Sequence, residues 1–242
     1  MSIHLLKDLI SQSSNIVFFG GAGVSTESNI PDFRSEQGIY NTKNKYGYPP
    51  EVILSHTFFI RHTEIFYDFY KTTMIYKDAK PNKAHLALAA LERQGKLKAV
   101  ITQNIDGLHQ MAGSKNVLEL HGSIHRNYCM KCAEKYSLDY ILNSQDIIPK
   151  CSKCGGTIKP DVVLYEENLD MNVLEKSIEY ISKAEVLIVG GTSLTVYPAA
   201  GLIDYYKGDK LVLLNKSSTP YDRRASIVIN DRIGKVMEEA VN

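Results

Sequence analysis

The sequence has no excess of charge of either sign and no long apolar run. Its 242 residues include 28 basic and 27 acidic side chains, which gives a net charge of +1 at pH 7. A balanced charge gives no reason to expect binding to nucleic acid or to a membrane surface. No stretch approaches the length of a transmembrane helix. We therefore expect a soluble, folded protein whose partners are neither nucleic acids nor membranes.

The start of the chain also lacks the pattern of an export signal. Within residues 1–14, Lys7 and Asp8 interrupt the apolar positions Leu5, Leu6, Leu9 and Ile10. This spacing is typical of an amphipathic helix rather than of a signal peptide. We expect a cytoplasmic monomer, and in the cytoplasm thiols stay reduced, so cysteines serve as metal ligands more often than as disulfides.

Strands and helices alternate along most of the chain. Short apolar runs that end at glycine or polar residues predict parallel strands, and the amphipathic stretches between them predict helices. The predicted strands are 16–19, 97–102, 117–120, 161–165, 186–189, 210–214 and 227–229. The predicted helices are 1–14, 57–76 with Thr57 as its cap, 83–94, 171–183, 198–206 and a last one from Asp231. The alternation predicts an α/β fold with a doubly wound parallel sheet, on which helix 57–76 and the cysteine-containing segment are insertions.

A glycine turn follows the first predicted strand. Gly21, Gly23 and Thr26 give G-x-G-x-x-T, which lacks the third glycine of the usual dinucleotide fingerprint. Glycines at this place let the backbone approach a pyrophosphate, and the next helix start favours its charge. Pro31 then limits that helix to about two turns and brings Phe33-Arg34 close to the turn. The pattern favours a nucleotide site, and a purely structural glycine turn stays open.

Polar residues follow other predicted strands. Gln103, Asn104 and Asp106 come directly after strand 97–102, and ligands of open α/β sheets collect at such strand ends. Their amides and carboxylate suit ribose hydroxyls, although an Asx turn that caps the next helix is an equal alternative for Asn104. Residues 190–194 form a second glycine turn with hydroxyls, after strand 186–189.

Two histidines receive different interpretations. His121 precedes Gly122 at the end of strand 117–120, and a histidine there is a candidate general base because its ordinary pKa lies near neutral. A structural histidine is the open alternative. His85 lies within a predicted helix, and we expect it to have a hydrogen-bonded structural role. The loop 37–50 has no periodicity, and we expect it to be mobile.

The four cysteines predict a metal site. Cys129, Cys132, Cys151 and Cys154 form C-x2-C-x18-C-x2-C, a spacing typical of one tetrahedral zinc ion with four thiolate ligands. All four thiols are used, so no coordination position is left open for catalysis. We therefore predict a structural zinc ion.

Together these motifs resemble the sirtuin family of NAD-dependent protein deacylases. The resemblance rests on G-A-G-V-S-T, I-P-D-F-R, T-Q-N-I-D-G-L-H, His121-Gly122, the four cysteines and G-T-S-L, in that order along nearly the whole chain. It implies a Rossmann-like NAD-binding domain of residues 1–35, 78–124 and 160–242. It also implies a small domain made of a helical module with the cofactor loop, 36–77, and a zinc module, 125–159. NAD and an acetyl-lysine protein would enter the cleft between them.

The resemblance also assigns site residues. The implied catalytic residues are His121 and Asn104, with His121 as general base. The implied NAD contacts are Gly21, Ala22, Gly23, Thr26, Phe33, Arg34, Gln103, Asn104, Ile105, Asp106, Thr192, Ser193, Asn215 and Asp231. The implied substrate contacts are Val162, Val163, Leu164, Tyr165, Leu194 and Val196, where 162–165 and 194–197 would flank the peptide as short strands. The implied reaction moves the acetyl group to ADP-ribose and releases nicotinamide.

The chain departs from the family pattern at two positions. Asn29 stands where sirtuins usually have glycine, and Glu166 replaces the glycine of the F-G-E motif, here Tyr165-Glu166-Glu167. We expect the first to stiffen the cofactor loop and the second to affect peptide affinity. Family members that prefer succinyl groups carry Tyr and Arg three residues apart, whereas this chain has Tyr67 and Tyr70. An acidic acyl group would lack a charge partner, so we predict a preference for acetyl.

Two other functions use the same features. ADP-ribosyl transfer or NAD hydrolysis would consume NAD without an acylated peptide. A binding module would use the zinc segment to dock a partner and would only sense NAD, but the balanced charge argues against DNA as that partner.

Overall fold

A computed structural model describes residues 2–35, 38–41 and 45–241. Six parallel strands form the main sheet in the order β3-β2-β1-β7-β8-β9, and three antiparallel strands form a small sheet in the order β5-β4-β6. The strands are β1 Ile16–Gly20, β2 Leu97–Thr102, β3 Val117–Glu119, β4 Gly122–Cys129, β5 Lys135–Ser137, β6 Ile158–Val162, β7 Val186–Gly190, β8 Leu211–Leu214 and β9 Ile227–Ile229. The α-helices are α1 Ser2–Gln12, α2 Pro50–Ile53, α3 His56–Arg61, α4 Thr63–Phe69, α5 Lys83–Arg93, α6 Leu108–Met111, α7 Leu138–Leu142, α8 Met171–Lys183 and α9 Ile233–Val241.

The main sheet has its topological switch point between β1 and β7. From β1 the chain continues outward to β2 and β3, whereas β7, β8 and β9 extend in the opposite direction. Every residue of β1 and of β7 is buried, because helices cover both faces of the sheet. In such sheets the crevice for a ligand opens beyond the carboxyl ends of the two strands at the switch point. The predicted doubly wound parallel sheet is confirmed.

Helices pack on the two faces of this sheet. One apolar core joins α1, α5 and α9 to the sheet through residues such as Leu6, Leu88 and Val236. The other joins α8 and a 3-10 helix, Ala199–Tyr205, through residues such as Ile181 and Leu202. The helix predicted for 198–206 is therefore present at this position but is a 3-10 helix.

A separate core supports the small domain. Aromatic side chains of α3 and α4 pack with residues of the small sheet and with α7. Phe59, Phe66 and Tyr67 are each at most 1% exposed, and the rings of Phe66 and Tyr70 stack with centroids 5.6 Å apart. The aromatic side chains of 57–76 thus belong to the core of the small domain.

The prediction of one continuous helix over 57–76 is wrong, because the segment contains three short helices. Helix α3 is capped by Ser55, whose hydroxyl accepts a hydrogen bond from the Phe58 N–H, rather than by Thr57. The helix ends at Arg61, α4 starts at Thr63, and a π-helical turn, Tyr70–Met74, completes the segment. The break lies at His62, whose φ of −134° and ψ of 47° are outside the helical region.

The strand predicted for 161–165 is also displaced. The observed strand is β6, Ile158–Val162, and it pairs antiparallel with β4 in the small sheet rather than with the parallel sheet. Apolar alternation alone does not tell which sheet a strand joins. Because β4 and β6 cross the predicted boundaries at 124/125 and 159/160, the domain division stays a prediction.

The predicted mobile loop 37–50 lies partly outside the described residues, which exclude 36–37 and 42–44. Within it, Ile39–Asn41 forms a short 3-10 helix and Ile39 is buried. Among the described residues, no helix combines the length and the apolar character that crossing a membrane requires.

Two buried histidines lie against each other between α5 and α6. The ring centroids of His85 and His109 are 4.7 Å apart, and both residues are at most 1% exposed. The His85 Nδ1 accepts a hydrogen bond from the Asn82 N–H, which confirms its structural role at the helix cap. Neither nitrogen of His109 has a partner among the described residues. Burial lowers the pKa of His85 to about 4, and burial and His85 together lower the pKa of His109 well below 6.5.

This histidine pair predicts a loss of stability in weak acid. Between pH 6.5 and about 4 the unfolded chain binds protons that the folded chain excludes, so the free energy of unfolding falls as the pH falls. Each histidine contributes up to about 1.4 kcal/mol per pH unit. Urea unfolding followed by circular dichroism at pH 7.5, 6.0 and 5.0 measures the slope. We expect His109→Gln to reduce this slope, whereas His4→Gln, at an exposed position, leaves it unchanged; equal slopes in all three proteins would contradict the assignment.

Candidate active site

Two glycine turns meet at the switch point. The turn after β1 and the turn after β7 are joined by a hydrogen bond from the Gly23 N–H to the Gly191 carbonyl oxygen, at 2.8 Å. A Cβ atom on Gly21 would lie 2.8 Å from that same oxygen, and one on Gly23 would lie 2.7 Å from the Gly191 Cα. Gly191 itself has a φ of +63°, in the left-handed region that favours glycine. Only residues without side chains allow these two turns to approach so closely.

A cavity of about 530 Å³ opens above these turns. Its lining includes every predicted catalytic, NAD and substrate residue except Leu194, which is 2% exposed and packs into the core. The predicted residues that line it are His121, Asn104, Gly21, Ala22, Gly23, Thr26, Phe33, Arg34, Gln103, Ile105, Asp106, Thr192, Ser193, Asn215, Asp231, Val162, Val163, Leu164, Tyr165 and Val196. The structure thus brings together residues from seven separate stretches of the chain, and their individual roles stay predictions.

The segment after β2 forms a hydrogen-bonded network with the first glycine turn. The Ser25 hydroxyl donates to the Asp106 carboxylate at 2.6 Å and accepts from the Asn104 amide at 3.0 Å. Asp106 also accepts from the Leu108 N–H at 2.9 Å, which makes it the Asx turn before α6. The alternative interpretation of this group as a helix cap therefore holds for Asp106, while the Asn104 side chain instead bonds to Ser25. Burial raises the pKa of Asp106, against the hydrogen bonds that lower it.

His121 lies in the turn between β3 and β4, and its ring lines the cavity. Its Nδ1 is 3.0 Å from the Gln103 carbonyl oxygen, and because a carbonyl only accepts, Nδ1 carries the proton. Nε2 is then the unprotonated nitrogen. Burial lowers the pKa of His121 from its ordinary value, while the bond to Gln103 acts in the opposite direction. A neutral imidazole with a basic Nε2 is the form that can accept a proton at pH 7.

The glycine after His121 is required by the local geometry. Gly122 has a φ of +72°, and a Cβ atom there would lie 1.9 Å from the Asp161 carbonyl oxygen. At this residue the chain leaves the parallel sheet and pairs with β6. The His121-Gly122 pair therefore places an imidazole where the two sheets meet.

Another wall of the cavity is formed by residues that follow β7 and β8. The Gln103 amide donates to the Thr192 hydroxyl at 3.1 Å, and the Thr192 N–H donates to Asn215 Oδ1 at 3.0 Å. The Asn215 Nδ2 is buried and has no hydrogen-bond partner among the described residues. Asp231 pairs with Lys235 at 2.8 Å and accepts from the Arg232 N–H at 2.7 Å. This wall thus presents hydroxyl and amide groups together with one unsatisfied donor.

The side of the cavity that is predicted to bind a peptide is fixed through its main chain. The Val163 N–H donates to the His121 carbonyl oxygen at 3.0 Å, and the Tyr165 N–H donates to the Leu54 carbonyl oxygen at 3.0 Å. Residues 163–164 are not in a strand and neither is the predicted strand 194–197. The segment is therefore an extended edge with one isolated bridge, between Ser55 and Tyr165.

Both departures from the family pattern have left-handed backbones. Asn29 has a φ of 62° and Glu166 a φ of 74°, so a glycine at either position would adopt the same conformation at lower cost. Asparagine tolerates this region better than most residues. A glutamate there costs roughly 1–2 kcal/mol, and its carboxylate accepts a hydrogen bond from the Thr57 N–H at 2.9 Å, which offsets part of that cost.

The four cysteines converge at the end of the small sheet. Their Sγ atoms all lie within 4.8 Å of one another, with Cys129 3.5 Å from Cys154 and Cys132 3.6 Å from Cys151. The Tyr136 hydroxyl donates to the Cys151 sulfur at 3.0 Å. Four converging sulfurs with an outer hydrogen-bond donor fit one tetrahedral zinc ion, and they lie apart from the residues that line the cavity.

Two residues with hydrogen bonds at the cavity, Ser25 and Tyr40, are among the lining residues that the sequence does not predict. Ser25 connects Asp106 to Asn104, and its position inside G-A-G-V-S-T was a usable signal. Tyr40 bonds to Tyr165 across the cavity, and nothing in the aperiodic loop around it indicates this contact, which joins residues far apart in the sequence.

The fold and the cavity define a doubly wound α/β protein with a dinucleotide-type crevice and a four-cysteine small domain. The sequence model of the Sir2 family matches residues 21–198. The NAD-dependent protein deacetylase of Clostridium acetobutylicum is 66% identical over 239 residues, which cover 99% of this chain and 98% of that protein. One from Staphylococcus epidermidis is 48% identical and covers 99% of this chain and 97% of its own.

Solved structures agree with the sequence comparisons. A Sir2 structure with a p53 peptide and NAD+ has a TM-score of 0.87 and 41% identity, and covers 98% of this chain and 96% of its own. A histidine-to-alanine Sir2 variant with deacetylated p53 peptide and 3′-O-acetyl ADP ribose has a TM-score of 0.90, 39% identity and full coverage of both chains. The chain belongs to the Sir2, or sirtuin, family.

The cysteine cluster predicts a metal dependence that can be measured. We expect about one zinc ion per chain by mass spectrometry of the metal content. Cys132→Ser, at an exposed ligand, should reduce this content to background and lower the thermal midpoint, because the short strands of the small sheet depend on the metal. Lys131→Ala in the same loop is the matched control and should keep its zinc. A Cys132→Ser protein with unchanged zinc content would exclude the four-thiolate site.

Proposed function

We propose that the chain is an NAD-dependent protein lysine deacetylase that transfers the acetyl group to ADP-ribose and releases nicotinamide, with His121 as general base. The observation that carries the proposal is the neutral His121 imidazole, whose Nδ1 is held by the Gln103 carbonyl and whose ring lines the same cavity as the glycine turns. The names of the similar proteins and the ligands in the solved Sir2 structures support the same activity.

The residues of the cavity fit NAD. Gly21 and Gly23 belong to a turn that lines the cavity without bulky side chains, which suits a pyrophosphate, and the unsatisfied Asn215 Nδ2 suits an acceptor atom of a nucleoside. We assign the adenosine half to Asn215 and Asp231. When bound, NAD would supply the ADP-ribosyl group that accepts the acetyl group.

We assign the nicotinamide half of NAD to residues beside the first glycine turn. Gln103, Asn104, Ile105 and Asp106 line the cavity beside the first glycine turn, and Phe33 lines it from the cofactor loop. We assign the nicotinamide ribose and carboxamide to 103–106 and the nicotinamide ring to Phe33. The remaining predicted contacts are Ala22, Thr26, Arg34, Thr192 and Ser193.

His121 would take a proton from a ribose hydroxyl at its Nε2. The Gln103 carbonyl keeps the proton on Nδ1, so the tautomer is fixed before the substrate arrives. The imidazolium that forms keeps the same bond to Gln103, now from a charged donor, which strengthens it. Asn104, placed in the network of Ser25 and Asp106, would orient the hydroxyl groups beside it.

An acetyl-lysine protein would bind along 162–165. The extended edge and its main-chain groups suit a peptide added as a strand, and Val196 lines the cavity on the other side. The described residues of the helical module that line the cavity, which are Ile39, Tyr40, Leu54, Tyr70, Met74 and Tyr76, include no cation. The Tyr67 hydroxyl donates to the Ile158 carbonyl oxygen and does not line the cavity. An uncharged acyl group therefore fits this end better than an acidic one.

The remaining proposals concern the zinc ion, the domain division, the localisation and the oligomeric state. We propose that the zinc ion is structural, that the division into 1–35, 78–124 and 160–242 against 36–77 and 125–159 holds, and that the protein acts as a cytoplasmic monomer.

Mass spectrometry of the protein with NAD and an acetyl-lysine peptide tests the function. We expect nicotinamide, the free-lysine peptide and O-acetyl-ADP-ribose to appear together. NAD consumed at the same rate without the peptide would instead indicate a glycohydrolase, and ADP-ribose attached to protein would indicate a transferase.

The His121→Ala variant tests the base. A positioned base contributes about 100- to 10,000-fold in rate, so we expect kcat/KM to fall by that factor. This fall corresponds to an activation free energy that is higher by roughly 2.7 to 5.4 kcal/mol. The exposed His4→Ala is the control and should match the wild type. In the wild type, the midpoint of the acid limb of the kcat/KM profile should lie below pH 6.5, because burial lowers the pKa of His121. Near-full activity of His121→Ala would refute its role.

Acyl preference is tested with matched peptides. A succinyl carboxylate would lose its hydration without gaining a cationic partner, and a charged hydrogen bond contributes about 1.5–3 kcal/mol. We expect kcat/KM for the succinyl peptide to be at least about tenfold lower than for the acetyl peptide. A butyryl peptide, which is uncharged, separates chain length from charge. Comparable turnover of succinyl and acetyl peptides would contradict the preference.

A further inference from the structure

A pair of hydroxyl groups crosses the cavity. The Tyr40 and Tyr165 hydroxyl oxygens are 2.5 Å apart, and both residues line the cavity. Tyr40 belongs to the loop that carries Phe33 and Arg34, whereas Tyr165 belongs to the predicted peptide edge. The bond therefore joins two walls to which different ligands are assigned. The F-G-E motif has phenylalanine where this chain has Tyr165, so the residue of the motif would supply no hydroxyl here.

The Tyr165 end of the bond is held by its main chain. Its N–H donates to the Leu54 carbonyl oxygen at 3.0 Å, and its carbonyl accepts from the His56 N–H at 2.9 Å. The Glu167 carboxylate accepts from the Leu164 N–H at 2.9 Å and also pairs with His56 and the buried Lys159. The tyrosine ring thus extends from a firmly fixed backbone.

The Tyr40 end belongs to the loop that carries Phe33 and Arg34. The Tyr40 N–H donates to the Phe33 carbonyl oxygen at 2.9 Å, and the two rings lie 5.4 Å apart. The Arg34 guanidinium lies over the Tyr40 ring, 5.5 Å from its centroid. These contacts make Tyr40, Phe33 and Arg34 one packed unit, so whatever fixes the Tyr40 ring also fixes the other two.

The link between the tyrosines persists over the pH range in which the protein works. Burial, followed by the bond to Tyr165, raises the pKa of Tyr40 far above its ordinary value. Its phenol therefore stays protonated, and a hydroxyl can donate to or accept from its partner.

We propose that Tyr165 is a positioning residue for NAD, whose hydroxyl holds Tyr40 and, through it, the Phe33-Arg34 segment in the conformation that receives the nicotinamide half. This inference rests on the proposed function. A neutral hydrogen bond contributes about 0.5–1.5 kcal/mol, so its loss should weaken NAD binding about two- to twelvefold. Peptide binding should change by less than about twofold, because the main-chain groups of the peptide edge do not involve the hydroxyl.

The test compares Tyr165→Phe, Tyr40→Phe and the double variant by calorimetric titration with NAD and by steady-state kinetics. We expect all three to raise the Kd and KM for NAD by the same factor, because each removes the same bond. The KM for the acetyl peptide and the thermal midpoint should stay close to those of the wild type. Tyr205→Phe, at an exposed position outside the cavity, is the matched control and should leave every value unchanged.

The possible results distinguish the positioning role of Tyr165 from the proposed function and from other roles of the two tyrosines. If the wild type does not bind NAD, the proposed function fails. If it binds NAD and the Tyr165→Phe variant binds equally well, only the positioning role fails. Additive effects of the two single variants would show independent roles, and a lower KM for the peptide in Tyr165→Phe would show that the bond obstructs the peptide. Either result would overturn the proposal.

Discussion

The contact between the two glycine turns determines where everything else in the cavity lies. Gly21 and Gly23 rest against Gly191 at distances that leave no room for a Cβ atom, and this contact closes the floor of the crevice at the switch point of the sheet. The polar groups of the β2 and β7 ends converge above this floor because parallel strands deliver their carboxyl ends to one edge. A side chain on any of the three glycines would separate the turns and with them the walls of the cavity.

The sequence predicts the main sheet well because buried parallel strands have a clear local signal. The apolar runs of β1, β2, β7 and β8 are bounded by glycine or polar residues, and each appears close to its predicted bounds. The prediction fails where tertiary contacts decide. The aromatic segment after Ser55 is divided at His62, and β6 pairs in the small sheet rather than in the parallel one, although nothing in its own alternation indicates which partner it has.

In the candidate site, too, the local sequence predicts some features, whereas others depend on contacts between residues that are far apart in the chain. Motif residues such as His121 and Asn104 lie at strand ends, and their convergence follows from topology. The state of His121 could not be read from its motif, since the proton position depends on the Gln103 carbonyl. The Tyr40–Tyr165 bond joins residues 125 positions apart, and only the folded chain shows it. The left-handed backbones at Asn29 and Glu166 explain why glycine suits both positions, which a single sequence does not show.

One residue takes part in both walls of the cavity. The side chain of His121 is bound to Gln103 in the parallel sheet, while its own carbonyl oxygen receives the Val163 N–H from the peptide edge. The edge along which we propose that a peptide binds and the residue that we propose as the base are therefore joined by one main-chain hydrogen bond. If this edge shifts, the backbone of His121 shifts with it, so a peptide bound along the edge would keep its register relative to that backbone.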